Sequence, residues 1–368
     1  MILARPYRMA VVGLQHSHLG TLDPAKPSGL LGTFRTLAGA GMVELVALCE
    51  PHDAARLDHE AGYLPGISTV GDVRECVAHT PIDLALIAGP AVDVARDVQV
   101  LAERGIHCFV EKSPARTARE WVPVVEASRR TGAHILVHYP WRHHPAIRLA
   151  RDWFSAGQLG RPTAMHASMT TGQVGHEPFQ RSPDGWWYRP ETEGGGMLHW
   201  LGAHFVEVMC ALFGDVAAVS ATCAPVIGNL VAHPRMDDVS AVTLRFINGA
   251  IGTLHVGYLN GAGGENRDFL RAWGTHGDVW WPSLGSAITV ARRDVDSGAT
   301  IHETVTCDLP ERPGTYGNRA WLSEIAEGFV TGIASGTRPE VGAEEALRVL
   351  QIIDAAYESS ETRRTIDL

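Results

Sequence analysis

Short apolar runs and segments of helical periodicity alternate through the first third of the chain. Residues 9–13, 43–49, 82–88, 107–110 and 134–137 are apolar runs, the first three closed by Gly13, Glu50-Pro51 and Gly89-Pro90. Between them, 54–61, 92–104 and 118–130 repeat apolar positions at helical spacing. Gly105 and Gly132 stand where helix C-caps belong. Strands without polar alternation belong to a parallel sheet covered on both faces. The alternation predicts a doubly wound α/β domain over residues 1–140, with its ligand at the carboxyl ends of the strands.

From residue 139 onwards the pattern changes. Residues 145–157 read as one helix. Residues 163–171, 216–223, 239–246, 251–258, 270–273 and 287–292 read as strands of a large, mostly antiparallel sheet. Asn248-Gly249 marks a hairpin between two of them. Residues 320–333 and 344–358 are amphipathic helices. The second domain, 141–368, is expected to be α+β and to serve substrate binding and oligomerisation, its last helix packing back near the first domain. A cleft between the domains is a favoured ligand site. An uncovered apolar sheet face points to a homodimer or homotetramer.

Composition narrows the function classes. The 368 residues are 45% hydrophobic and 20% charged, with a net charge of −10 and no basic cluster, which argues against a nucleic-acid partner. Six scattered cysteines form no CxxC pair and read as buried thiols of a reducing compartment. The apolar run near the N-terminus is too short for a signal-peptide core, and no apolar stretch is long enough for a membrane span. The expectation is a cytoplasmic protein.

The candidate chemistry falls in three places. The turn after the first run is Gly13-Leu14-Gln15-His16-Ser17-His18. Against G-x-G-x-x-G, only Gly13 matches, with Gln15 and His18 in the other glycine places. Glu50 ends the second strand far later than the usual ~20 residues after the turn, which points to an insertion around residues 23–31. Glu50 is read as the carboxylate for the ribose hydroxyls. It would repel a 2′-phosphate, so NAD is preferred to NADP. His16 and His18 are read as donors to a pyrophosphate; a domain without nucleotide is the alternative. Zinc ligands were weighed at His16, His18, His143, His144, His176 and His199, and the reading carries no metal.

Lys112, behind the run 107–110, is the second place. It is read as a buried ammonium that binds a substrate oxygen, oriented by Glu111; a surface lysine is the alternative. The third is Gly194-Gly195-Gly196-Met197-Leu198-His199-Trp200-Leu201-Gly202-Ala203-His204. Its His204 suits a proton acceptor, with Glu207 three residues on to orient the ring. Trp200 shares that face at i−4 and can stack on a ring but cannot exchange a proton. His199 lies about 140° away at about 100° per residue, and joins only if the helix starts irregularly. Trp187, within Trp186-Trp187-Tyr188-Arg189, is read as lining a carbohydrate site or packing in the core.

These motifs, in order, resemble the glucose–fructose oxidoreductase/inositol dehydrogenase (Gfo/Idh/MocA) family from end to end. The segments are Ala88-Gly89-Pro90; Gly105–Pro114 with Glu111-Lys112 and Ser113 in the proline position; Arg142 with Pro145; Gly194–Glu207; and the run 346–359. The resemblance implies a Rossmann domain binding NAD(P) and hydride transfer on a sugar, cyclitol or polyol. It implies catalytic roles for Lys112 and His204, to which the reading of the residues adds His199. Together they give cofactor contacts from Gly13, Gln15, His16, His18, Glu50, Pro90, Glu111 and Lys112, and substrate contacts from Arg142, Trp187, Trp200 and His204. The family pattern has an aspartate where Trp200 stands. That departure and the extra histidines keep open glycoside cleavage through a transient ketone or a metal-assisted lyase, and the degraded glycine turn keeps open a cofactor-free ligand sensor.

Overall fold

The computed structural model of the protein describes residues 5–173, 185–228, 230, 233–260, 268–282, 285–294 and 297–368. The chain divides into two compact units. One comprises Met1–Tyr139 with Leu309–Leu347, the other Pro140–Asp308 with Arg348–Leu368. The expected division into continuous domains 1–140 and 141–368 is therefore corrected: residues 309–347 belong to the first unit. Three interactions tie them there. Val137 N donates to Val341 O at 3.0 Å, Trp121 Nε1 donates to Ala343 O at 2.9 Å, and Phe329 packs edge-on to Phe109.

The first unit holds a six-stranded sheet. Its strands are β1 (Tyr7–Val12), β2 (Val43–Cys49), β3 (Ser68–Val70), β4 (Leu84–Ile87), β5 (His107–Glu111) and β6 (Ile135–His138). The order is β3-β2-β1-β4-β5-β6 and every pairing is parallel. This is the doubly wound order whose switch point lies between β1 and β4. β4 and β6 are buried at every residue, as strands covered on both faces must be. The helices are α1 (Gly29–Gly39), α2 (Ala54–Ala61), α3 (Val73–His79), α4 (Ala91–Ala102), α5 (Ala118–Thr131) and, from the returning segment, α9 (Ala320–Ser335).

Three of these elements escape the sequence pattern. β3 is three residues long and α3 only seven. α1 carries three glycines in eleven residues and no charge in its first turn. One glycine is required there: a Cβ on Gly32 would collide with the Gly314 carbonyl.

The second unit is built on a nine-stranded sheet. Its strands are β7 (Pro162–Gly172), β8 (Val216–Ala224), β9 (Val239–Phe246), β10 (Ile251–Asn260), β11 (Phe269–Gly274), β12 (Gly277–Pro282), β13 (Ala287–Arg293), β14 (Thr300–Thr306) and β15 (Ile366–Asp367). The order is β14-β13-β12-β11-β7-β10-β9-β8-β15, with only β7 and β10 parallel. The helices are α6 (Pro145–Ser155), α7 (Pro190–Glu193) and α8 (Ala203–Phe213). α10 (Ala343–Thr362) begins in the first unit and ends in this one. β12, β14 and β15 were not expected; β14 reads Thr-Ile-His-Glu-Thr-Val-Thr and is largely exposed, so it offers little apolar signal.

Two expectations change here. The open sheet face around β8, β9, β10 and β7 presents Ser220, Thr243, Thr253, His255 and His166, so it is polar, not the apolar surface anticipated. Moreover, Pro190–Phe213 does have the length and mean hydropathy (1.3) of a membrane span. It is broken by Gly194–Gly196, and 83% of its apolar 18-residue window is buried, as in a core segment.

Candidate active site

In the first unit, the carboxyl ends of β1, β5 and β6 gather a cluster of titratable groups. Glu111 ends β5 and is buried. Its Oε1 accepts from His18 Nδ1 at 2.8 Å and its Oε2 from His138 Nδ1 at 2.7 Å. Burial opposes ionisation of Glu111, yet His138 and His18 together hold its carboxyl well below the ordinary range. An ionised carboxylate only accepts, so each imidazole must carry its proton on Nδ1. Burial pushes His18 below its ordinary value, with Glu111 pulling the other way. Tyr316 closes over both rings, at 5.0 Å from His18 and 5.3 Å from His138, and burial raises its hydroxyl well above the usual range. Lys112 follows Glu111, is 1% exposed, and is near enough for its charge to disfavour His18 protonation. The Lys112–Ser113 peptide is cis.

His16, His18 and Glu111 place potential ligand atoms within 4.8 Å of one another. The hydrogen bonds already allot these atoms, however. His16 Nδ1 accepts from His18 N at 3.1 Å, so a neutral His16 carries its proton on Nε2, while His18 Nδ1 is spent on Glu111. A cation bound through either Nδ1 would have to displace the bond that atom makes. Of the other histidines, His144 caps α6 by accepting from Ala146 N, and His176 lies outside the described residues.

The turn after β1 departs from a dinucleotide cradle in a definite way. Gly13 has φ +79°, and a Cβ there would meet Gly89 N at 2.5 Å, so this glycine is required. Glu50 Oε2 accepts from Leu14 N at 2.5 Å, and Oε1 from His52 N at 2.6 Å and Asp53 N at 3.1 Å. The carboxylate expected on a ribose thus pins two loops together. α1 begins at Gly29, not directly behind the turn. Its first N–H groups, on Leu30 and Leu31, donate to the carbonyls of His18 and Leu19 at 3.0 and 2.8 Å. A helix N-terminus commonly binds phosphate through such groups; here the 19–28 insertion takes their place. His18 Nδ1 is engaged with Glu111, so only its Nε2 is left to face a ligand. A small cleft at the switch point is lined by Gly13, Pro51, His52, Gly89, Pro90 and Asp93. The cleft lies where a doubly wound fold receives the adenosine end of a dinucleotide.

In the second unit, the triple glycine is a packing requirement. A Cβ on Gly196 would collide with the Asp237 carbonyl, and one on Gly195 would lie 2.6 Å from Tyr357 Oη and from His199 Cβ. Asp237 is fully buried; it accepts from Leu198 N at 3.0 Å, Ser240 Oγ at 2.7 Å and Tyr357 Oη at 2.6 Å. Burial raises its carboxyl pKa against the pull of these donors. Leu198–Gly202 is π-helical and passes into α8. Its i→i+5 turn rotates each residue by less than the α-helical 100°, so His199 is turned towards the face of His204. The irregular start on which His199's participation depends is therefore present. His199 and His204 are both buried.

Arg142 and Glu207 form a buried ion pair, Nε to Oε1 at 2.7 Å, which gives Glu207 a partner other than the one expected. Trp187 belongs to an aromatic chain running Trp200–Trp186–Trp187–Tyr188–Tyr258, with successive ring centres 4.9–6.4 Å apart. Sequence reasoning missed His138, Tyr316, Asp237 and Tyr357. Only the position of His138, at the end of the fifth predicted run, offered a signal.

A doubly wound dinucleotide-type unit joined to a large open-sheet unit defines the class. A family model described as the GFO/IDH/MocA C-terminal domain matches residues 147–280. Over that stretch the chain is similar to the C-terminal domain of Gfo/Idh/MocA proteins. It is 23% identical to a D-apiose dehydrogenase of Paraburkholderia graminis, covering 92% of this chain and 86% of that one. It is 24% identical to a levoglucosan dehydrogenase of Pseudarthrobacter phenanthrenivorans over 68% of this chain and 70% of the relative. A solved levoglucosan dehydrogenase complex with NADH and levoglucosan superposes with a TM-score of 0.80 at 21% identity, covering 99% of each chain.

Proposed function

We propose that the protein is an NAD(P)-dependent oxidoreductase that interconverts an alcohol and a carbonyl on a sugar, cyclitol or related polyol, with NAD preferred. The observation that carries the reading is Lys112, buried at the carboxyl edge of a doubly wound sheet beside a carboxylate fixed by two imidazoles. The named activities of the relatives, dehydrogenases of apiose and levoglucosan, support the substrate class. When bound, the nicotinamide supplies the hydride acceptor or donor. The Lys112 ammonium binds the substrate oxygen and stabilises the alkoxide as its proton leaves. His204, and His199 on the π-helical turn, are assigned with Trp187, Trp200 and Arg142 to the substrate side. Asp93 and Asp97, which line the small cleft, support NAD over a cofactor carrying a 2′-phosphate. A homodimer or homotetramer is part of the reading, as is a cytoplasmic location, the latter supported by six free cysteines.

The test is a fluorescence titration with NADH and NADPH, followed by turnover on a panel of sugars and polyols. Micromolar binding of NADH is expected, and Lys112→Met should lower kcat/KM by about 100- to 10,000-fold while NADH still binds. Failure of both nucleotides to bind would overturn the reading, and full activity in Lys112→Met would remove its assigned centre. Trp200 favours one second reading, non-simple redox chemistry such as glycoside cleavage through a transient ketone, because an indole cannot replace a carboxylate as a proton carrier.

A further inference from the structure

The His18–Glu111–His138 cluster does more than fill the edge of the sheet. Its components come from three separate places in the chain: the turn after β1, the end of β5 and the end of β6. One ionised carboxylate fixes two imidazoles in the same tautomer, each with Nδ1 donating inward. The two rings differ in access. The His138 side chain is fully enclosed, and its Nε2 has no hydrogen-bond partner among the described residues. The His18 side chain is 23% exposed, so its Nε2 is the lone pair the cluster presents outward. A neutral imidazole whose Nδ1–H is held by a carboxylate is oriented as a proton acceptor, because the carboxylate also stabilises the imidazolium that forms.

We propose that His18 is a catalytic residue of the first unit: its Nε2 takes the proton of a substrate hydroxyl, with Glu111 and His138 as positioning residues. This rests on the oxidoreductase reading above. In the oxidation direction the substrate C–H bond breaks and its hydride goes to the nicotinamide. The O–H bond breaks and its proton goes to His18 Nε2, leaving a carbonyl and an imidazolium paired with Glu111. Reduction is the reverse. The turn after β1 thus carries an oriented base where a glycine-rich turn would carry none.

The groups facing His18 are Glu111 and Lys112 from the β5 end, His138 from β6, His16 from its own turn and Tyr316 from the returning segment. Its affinity for a proton lies below the ordinary histidine value. Oxidation should therefore gain rate as pH rises through that depressed value and level off above it.

Two measurements test the proposal. Nitrogen-15 NMR of the full-length protein without nucleotide should show His18 with Nδ1 protonated and Nε2 bare at pH 7.5, and Glu111→Gln should abolish that preference. In turnover, His18→Asn keeps an amide near Nδ1 to donate to Glu111 but has no base at Nε2. It should lower kcat about 100-fold or more with KM little changed, keep NADH affinity and the melting temperature, and lose the acid limb of the pH profile. An Nε2-protonated His18 would overturn the proposal. So would a His18→Asn enzyme with wild-type kcat and an intact acid limb while nucleotide binds normally, which leaves the oxidoreductase reading standing. Absence of nucleotide binding in the wild type would instead overturn both together.

Discussion

Glu50 shows how a residue can sit in the expected place and hold a different post. It ends β2, as a ribose-binding carboxylate should, but its oxygens accept from Leu14, His52 and Asp53 N–H groups. Glu50→Gln sets an amide N–H against one of these donors. We expect it to cost about 1–3 kcal/mol of stability in the nucleotide-free protein, read by urea denaturation; a ribose role alone would leave that value unchanged and weaken only NADH binding. The same contrast explains what the sequence made legible. Lys112 and Glu111 could be placed because an apolar run marks a strand and its end marks the ligand edge. The partners of Glu50 and His18 could not, since they lie 36 and 93 residues away and depend on tertiary packing.

Among the elements, the segment from Gly194 to Phe213 carries the most specification per residue. Its glycines admit Asp237 and Tyr357 to the backbone, and its π-helical turn re-aims His199. Gly196→Ala drives a methyl group into the Asp237 carbonyl. It should destabilise the protein by about 1–3 kcal/mol and, by shifting the turn, lower turnover further than stability accounts for. Denaturation and kinetics on the same preparation separate the two. A stable, fully active Gly196→Ala would show that the close approach is not required. Helical periodicity located this segment correctly, but an angle computed at 100° per residue cannot register a π turn. Short or polar elements such as β3 and β14 were invisible for a simpler reason: too few apolar positions repeat to set a period.

At the scale of the molecule, the first unit is discontinuous. Its sheet is complete by His138, yet Val137 hydrogen-bonds to Val341, Trp121 to Ala343, and Tyr316 seals the histidine cluster. A fragment of residues 1–139 should therefore lack a cooperative thermal transition by circular dichroism, and tethering residues 309–347 to it should restore one. A sharp melt in the short fragment would show that the sheet suffices. During synthesis the same arrangement imposes a wait. All of Pro140–Asp308 must leave the ribosome before the returning segment can dock. At about 5–20 residues per second, that is roughly 10–30 s. For that interval a finished parallel sheet stands with apolar surface bare, and a nascent chain in that state is a client for holdase chaperones.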